Sequence, residues 1–347
     1  MPESTLAQIC TLAIYGAMGA YVISLLAFAV DLARFMDSSD KGRRFARIGV
    51  SAMVAGFAIH VVGVLTRAIA TERVPWANMY EFSIVFTLIA VGIFLLLNRS
   101  RDLRVLGAGV AGLVVLSLGL AVSVLYVRAD GIPPALDSYW LIIHVFVATL
   151  AVGVLAVSAI LSLVQLLQER AEIGRARRAE ARATADPAAL VTADGRAAQT
   201  STRSAEGAAG RGEVGSDDGG AGSVDSPRTG LAGFRDRLSE RLPSSAELER
   251  MAFQLIAIGF VLWTFTLIAG AIWAEHAWGR PWGWDVKEVW TLLIWIVYAA
   301  YLHARLTRGW EGRRAAYLSL TGFGLILGNY FIVNLFLNSR HAYSGIG

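Results

Sequence analysis

Apolar positions along this chain fall in long unbroken runs, not in the alternation of strands or the one-sided stripes of surface helices. Eight runs cover roughly 8–30, 48–70, 80–97, 105–127, 139–166, 251–273, 289–304 and 315–337. Crossing a bilayer takes about 20 residues of helix, and most of these runs reach that length. Hydrocarbon offers no partner to a free N–H or C=O, so a spanning segment is either a helix or part of a closed barrel. Barrel strands alternate apolar and polar positions over about ten residues, and these runs do not. The pattern predicts an all-α, polytopic integral membrane protein with about eight transmembrane helices.

Between the fifth and sixth runs the pattern stops. Residues 179–233 are rich in Ala, Gly, Ser, Asp and Arg and almost free of aromatics. Such a stretch buries too little apolar surface to offset the entropy of ordering. A disordered linker is expected over 167–250, serving as a tether, with helical edges near 161–178 and 234–250. Three regions follow: an N-terminal membrane region of five helices (1–166), the linker, and a C-terminal membrane region of three helices (251–347).

Composition agrees. Apolar residues make up 55% of the chain and charged residues 17%, against roughly half and a quarter in soluble domains. The net charge of +4 has a distribution that sets orientation. Arg34, Lys41, Arg43, Arg44 and Arg47 lie in one connection, and Arg99, Arg101 and Arg104 in another on the same side. The linker and the cluster Arg305, Arg308, Arg313 and Arg314 join them. The alternate connections hold only Arg67 and Arg73, then Arg128, then Arg280 and Lys287, then Arg340. By the positive-inside rule the richer side is cytoplasmic. The linker is then inside and both termini are outside. The basic charge reflects this bias and gives no reason to expect nucleic-acid binding. The first run lacks a basic leading region and reads as an N-out anchor, not a cleaved signal. A single cysteine, Cys10, excludes a CxxC pair within the chain, so any thiol reduction needs a separate protein.

The chemistry concentrates late in the chain. Eight of the ten tryptophans lie between Trp263 and Trp310, and Trp278, Trp282, Trp284 and Trp290 crowd around one outer connection. They form either an interfacial aromatic belt or a flat apolar platform for a large planar ligand. Asp285 and Glu288 have the spacing of a capping box opening the seventh helix. Ionisable groups within membrane spans are functional candidates by default, which brings forward the histidines. His144 lies about a turn inside the fifth span, and His341 lies just past the eighth, both on the tryptophan side. His303 is near the inner end of the seventh span, His60 is mid-span in the second, and His276 is at the sixth helix's outer end. Two imidazoles beside an aromatic surface suit bis-histidine haem ligation. Hydrogen-bonded packing is the alternative for each.

The tryptophan segment resembles the WWD signature of haem-handling membrane proteins in cytochrome c biogenesis. More narrowly, the chain is similar to the CcsA/ResC family of System II. Pro75-Trp76-Ala77-Asn78-Met79-Tyr80-Glu81-Phe82 resembles that family's P-x-x-N-x-Y-E segment. Residues 136–145, which end in His144 and Val145, resemble its L-x-S-x-W-L-x-x-H-V segment. Tyr301-Leu302-His303-Ala304-Arg305 and His341-Ala342-Tyr343 resemble its later histidine sites. The likeness covers about 50–166 and 250–347. Val286 departs from it, standing where the family has proline.

The resemblance implies that His144 and His341 are axial ligands to haem at the outer tryptophan site. That site is formed by Trp278, Trp282, Trp284, Asp285 and Trp290. It implies that His303 binds haem (haem b, as cargo) at a second, transmembrane site, with its partner histidine on a ResB-like subunit and not at His60. The implied function is haem delivery to apocytochrome c, with a thiol-reducing protein in support. No nucleophile or acid–base dyad is evident, so attachment belongs to a complex. Two alternatives stay open: a System I haem-handling protein, and a transporter of another apolar solute.

Overall fold

The computed structural model describes residues 5–34, 41–100, 102–127, 138–185 and 242–337. The chain divides into two compact units, residues 1–169 with 241–347, and residues 170–240. Both membrane regions distinguished along the sequence fall in the first. In the second, the described residues are the helical stretch 170–185. The expected disorder of 179–233 falls mainly on residues outside the described set.

Every regular element among the described residues is a helix. These are α1 (Thr5–Arg34), α2 (Lys41–Ala70), α3 (Met79–Ser100), α4 (Arg104–Ser123), α5 (Tyr139–Ala185), α6 (Ser245–Trp278), α7 (Val286–Arg308) and α8 (Arg313–Gly328). A π-helical turn at Asn329–Val333 and a last α-turn at Asn334–Phe336 continue α8. Eight helices are thus long and apolar enough to cross a membrane, one for each apolar run. The protein is a multi-pass membrane protein.

The helices outrun their apolar segments because their ends are built from good helix formers and capped. α5 continues past residue 166 through a Glu-, Arg- and Ala-rich stretch with high helix propensity. Ser244 caps α6, its side chain accepting from the Glu247 N–H. Gly279 and Gly309 end α6 and α7 at φ +68° and +60°, the left-handed conformation that glycine adopts without strain.

Lipid tails are as apolar as leucine, so helices here associate by close packing and not by escape from water. The α1–α2 pair shows how. Gly49, Gly56 and Gly63 recur every seven residues on α2, and Phe28, Tyr21 and Ile14 recur every seven on α1. A Cβ added at these glycines would come within 2.9, 2.8 and 2.8 Å of the facing side chain, respectively. The glycines are therefore the slots that receive the α1 side chains. Phe28 also packs against Gly107 of α4 and edge-on to Phe94 of α3.

Two buried carboxylates tie the ends of the bundle. Near the α2–α3 connection, Glu81 accepts from Arg67 Nε (2.9 Å), Arg73 Nη1 (2.6 Å) and the Ala77 N–H (2.9 Å). Arg67 also donates to the Val127 carbonyl, beyond α4, at 2.9 Å. Arg67 is therefore a buried structural cation and not the loop charge expected from the sequence. At the opposite end Glu249 of α6 pairs with Arg305 of α7 and accepts from the Gly312 N–H (2.9 Å) and Gln165 Nε2 (3.3 Å). Buried carboxylates of this kind persist only when their acceptor sites are filled.

Candidate functional site

The P-x-x-N-x-Y-E segment owes its shape to one residue. Asn78 precedes α3 and its side chain accepts from the Glu81 N–H (2.9 Å), while Glu81 turns back to the Ala77 N–H. This reciprocal arrangement resembles a capping box, with both arginines recruited to the same carboxylate. It fixes Trp76 and Met79 at the edge of a cavity.

That cavity, about 190 Å³, lies among α3, α4, α5, α6, α7 and α8. Its walls are mostly aromatic and aliphatic, and its polar groups are few: His144, Lys287, Asn329, Asn334, Ser83 and Thr266 among them. An apolar pocket with a small number of placed polar groups is the usual form of a ligand site. The π-helical turn of α8 borders it. Tyr330 there donates to the Met79 carbonyl (3.0 Å), hydrogen-bonds Ser83 and stacks on Phe82. Such turns arise where a helix is re-aimed for a local purpose.

His144 is the best-defined of the candidate ligands. Its Nδ1 lies 2.9 Å from the Thr266 carbonyl of α6, a geometry that requires Nδ1 to carry the proton. In a neutral ring the lone pair then resides on Nε2, the arrangement found in metal-binding histidines. The ring lies nearly parallel to Trp273 (interplanar angle 14°, centroids 6.2 Å apart). Trp273 in turn meets Trp278 edge-on at 4.8 Å.

The tryptophans of the α6–α7 connection do not form one flat surface. Trp278 turns inward onto Trp273, and Trp282 and Trp284 are perpendicular to each other at 5.9 Å. Trp284 sits at φ +56°, rare for a residue with a Cβ, and its side chain is 74% exposed. Trp290 packs over Gly328 of α8, where an added Cβ would lie 2.6 Å from the indole. The physical reason is the short turn: the chain reverses in seven residues between two helices, so successive rings face different directions. The tryptophans that line the cavity are Trp76, Trp263 and Trp273.

Asp285 caps α7, and Glu288 completes the box, its carboxylate accepting from the Asp285 N–H (3.1 Å) and the Gly283 N–H (2.7 Å). Val286 in the first helical position leaves this turn intact. His303 is exposed near the far end of α7. His276 is also exposed, its Nδ1 bonded to the Ile272 carbonyl of its own helix at 2.8 Å. His60 is fully buried and shares a 3.2 Å hydrogen bond with Tyr21 across α1–α2. His341 lies outside the described residues. Lys287 was identifiable in the sequence only as a loop charge, yet it lines the cavity and donates to Asn334 Oδ1.

A family of proteins described as cytochrome c assembly proteins matches residues 76–341. The chain belongs to this family. The cytochrome c biogenesis protein CcsA of Synechococcus elongatus is 34% identical over 275 residues, 78% of each chain. That of Gloeobacter violaceus is 34% identical over 304 residues, covering 82% of this chain and 83% of its own. Among solved structures, the cytochrome c haem lyase CcmF superposes with a TM-score of 0.59 at 14% identity. That match covers 99% of this chain but 49% of CcmF, so the likeness is one of fold over about half of the larger protein. Membership in the family assigns this chain a role in cytochrome c maturation. The matched region runs from Trp76, at the edge of the cavity, to His341.

Proposed function

We propose that this protein holds haem at the α6–α7 end of its bundle and presents it for covalent attachment to apocytochrome c. The observation that carries the reading is the His144 imidazole. Its proton is committed to the Thr266 carbonyl, its plane lies nearly parallel to Trp273, and it borders an apolar cavity. A neutral imidazole fixed in this tautomer is a ready axial ligand for iron. His341 supplies the second ligand. The WWD turn, with Trp278, Trp282, Trp284, Asp285 and Trp290, is the outer edge of the site, joined to the cavity through the contact of Trp278 with Trp273. Asp285 acts there by fixing the start of α7.

The chain's own contribution is to bind, orient and shield. Thioether formation joins haem vinyl groups to substrate thiols, chemistry that belongs to haem and the substrate. His303, exposed at the opposite end of α7, is the ligand offered to haem at a transmembrane site completed by a histidine of a ResB-like subunit. His60, committed to Tyr21, packs the α1–α2 pair. In this reading the α6–α7 end faces outward from a bacterial inner membrane, both termini lie outside, and a separate protein keeps the substrate thiols reduced. The mixed apolar lining also suits another apolar solute, but a fixed imidazole tautomer beside a parallel indole favours a metalloporphyrin.

The test is the absorption spectrum of the protein purified from cells supplied with haem. The reading expects a low-spin, bis-imidazole spectrum that is altered in His144→Ala. A haem-free preparation, or a spectrum indifferent to that substitution, would contradict it.

A further inference from the structure

Among the described residues, Lys287 is a cation without an ion-pair partner. It sits in the first turn of α7, lines the cavity, and donates to the Asn334 side chain, which itself donates to the Tyr330 carbonyl at 2.8 Å. Asp285, two residues before it, is engaged as the α7 cap. An ammonium in apolar surroundings is costly unless paired, so its presence here calls for an anion that the described residues do not provide.

Two further groups on the same cavity are short of partners. The Trp76 indole N–H is buried without a hydrogen bond, and so is the side-chain oxygen of Asn329, itself only 7% exposed. An amide can rotate to offer either its N–H or its C=O. The cavity therefore combines an apolar body, an imidazole, an unneutralised ammonium and unused hydrogen-bonding capacity. A ligand that satisfies all of these is largely apolar and carries a carboxylate.

We propose that Lys287 is a carboxylate anchor in this cavity, pairing with a propionate of the bound tetrapyrrole while Asn334 holds the ammonium in place. This rests on the haem reading above and adds which end of the cargo is recognised, and by what. The anchor sets orientation: the propionate edge lies toward the start of α7, and the vinyl-bearing edge lies on the far side of the ring from it. A point charge on a flexible stem suits this task, since the carboxylate need not be held in one plane.

Two probes separate the outcomes: ferric protoporphyrin IX and its dimethyl ester, which keeps the ring, iron and vinyls but has no carboxylate charge. Each is titrated into the purified full chain in detergent. The wild-type protein should prefer the free acid by roughly ten-fold or more, the scale of one charge-assisted hydrogen bond. Lys287→Met should lose that preference by weakening acid binding toward the ester's value, with ester binding and the axial-ligand bands unchanged. Lys287→Arg should restore part of the preference, showing that charge and not shape is read. Equal wild-type affinity for both probes would overturn the anchor, and that comparison needs no variant to fold. A wild-type protein that binds neither probe would overturn the haem reading along with it. Lysine-dependent capture of oleate with no lysine dependence for either porphyrin would assign the cation to a lipid carboxylate instead and overturn the proposal.

Discussion

The His144 imidazole lies against Gly270, so closely that a Cβ at position 270 would be 2.8 Å from Cε1 and 2.9 Å from Nδ1. Gly270 stands one helical turn after Thr266, whose carbonyl receives the Nδ1 proton. One turn of α6 thus provides both the room for the ring and the acceptor that fixes its tautomer. The position of the proposed ligand is set by a residue that never touches iron.

Gly270→Ala should therefore behave as a ligand mutant without removing the ligand. The added methyl pushes the ring off the Thr266 carbonyl at an overpacking cost of about 1–3 kcal/mol. Membrane levels should stay near normal, while haem retained per protein falls. Haem content equal to wild type would show that the ring has slack that the geometry denies.

The glycine slots of α2 predict a contrast within one helix pair. Gly56→Ala drives a methyl into Tyr21, 2.8 Å away, whereas nothing lies within 4 Å of a Cβ at Gly19. Gly56→Ala should lower thermal stability in detergent, and Gly19→Ala should leave it unchanged or raise it by up to about 1 kcal/mol from helix propensity. Equal effects would mean that α1 and α2 are not packed through these slots.

Glu81 supports two arginines, both largely buried, and the loop that carries Trp76. Glu81→Ala strands two cations, a loss on the order of 3–5 kcal/mol for a broken buried pair. The expected result is a strongly reduced melting temperature and poor accumulation. Arg73→Ala, at the more exposed partner, should be milder. A loss in Arg73→Ala as large as that in Glu81→Ala would show that the Arg73 pair carries the segment and that Arg67 adds little.

The number and placement of the helices was legible in the sequence because hydrocarbon enforces it: each apolar run became one helix. The capping box of Asp285 and Glu288 was legible for a similar reason, since it is local. The extension of α5 was legible to about residue 178 from its helix-forming residues, and the helix runs on to Ala185, since hydropathy marks where lipid ends and not where helix ends. The glycine heptad of α2 is not legible in sequence, because its period has meaning only against Phe28, Tyr21 and Ile14 on α1. The cavity tryptophans are not legible in sequence either. Trp76, Trp263 and Trp273 sit 187 and 10 residues apart along the chain, and only tertiary packing brings them to one wall. The crowding of Trp278, Trp282 and Trp284 was visible, but the direction of each ring depends on a seven-residue turn that sequence does not specify.

The arginine asymmetry predicts topology directly. A cysteine introduced as Ser216→Cys should resist an impermeant maleimide added outside intact cells and react once the membrane is opened. Native Cys10 is buried in the bundle and contributes little background. Labelling from outside would place the α6–α7 end on the cytoplasmic side and remove the proposed site from its substrate.

The central claim is that His144 and His341 hold haem iron for cytochrome c maturation, and imidazole rescue tests it most directly. His144→Ala and His341→Ala should each abolish covalent haem attachment to a reporter cytochrome c while the protein still inserts. Each variant keeps its site and lacks only a lone pair, so imidazole in the medium should restore part of the attachment. His276→Ala, at an exposed ring bonded to its own helix, should mature cytochrome c normally. Normal maturation in both of the first two variants, without imidazole, would contradict the account.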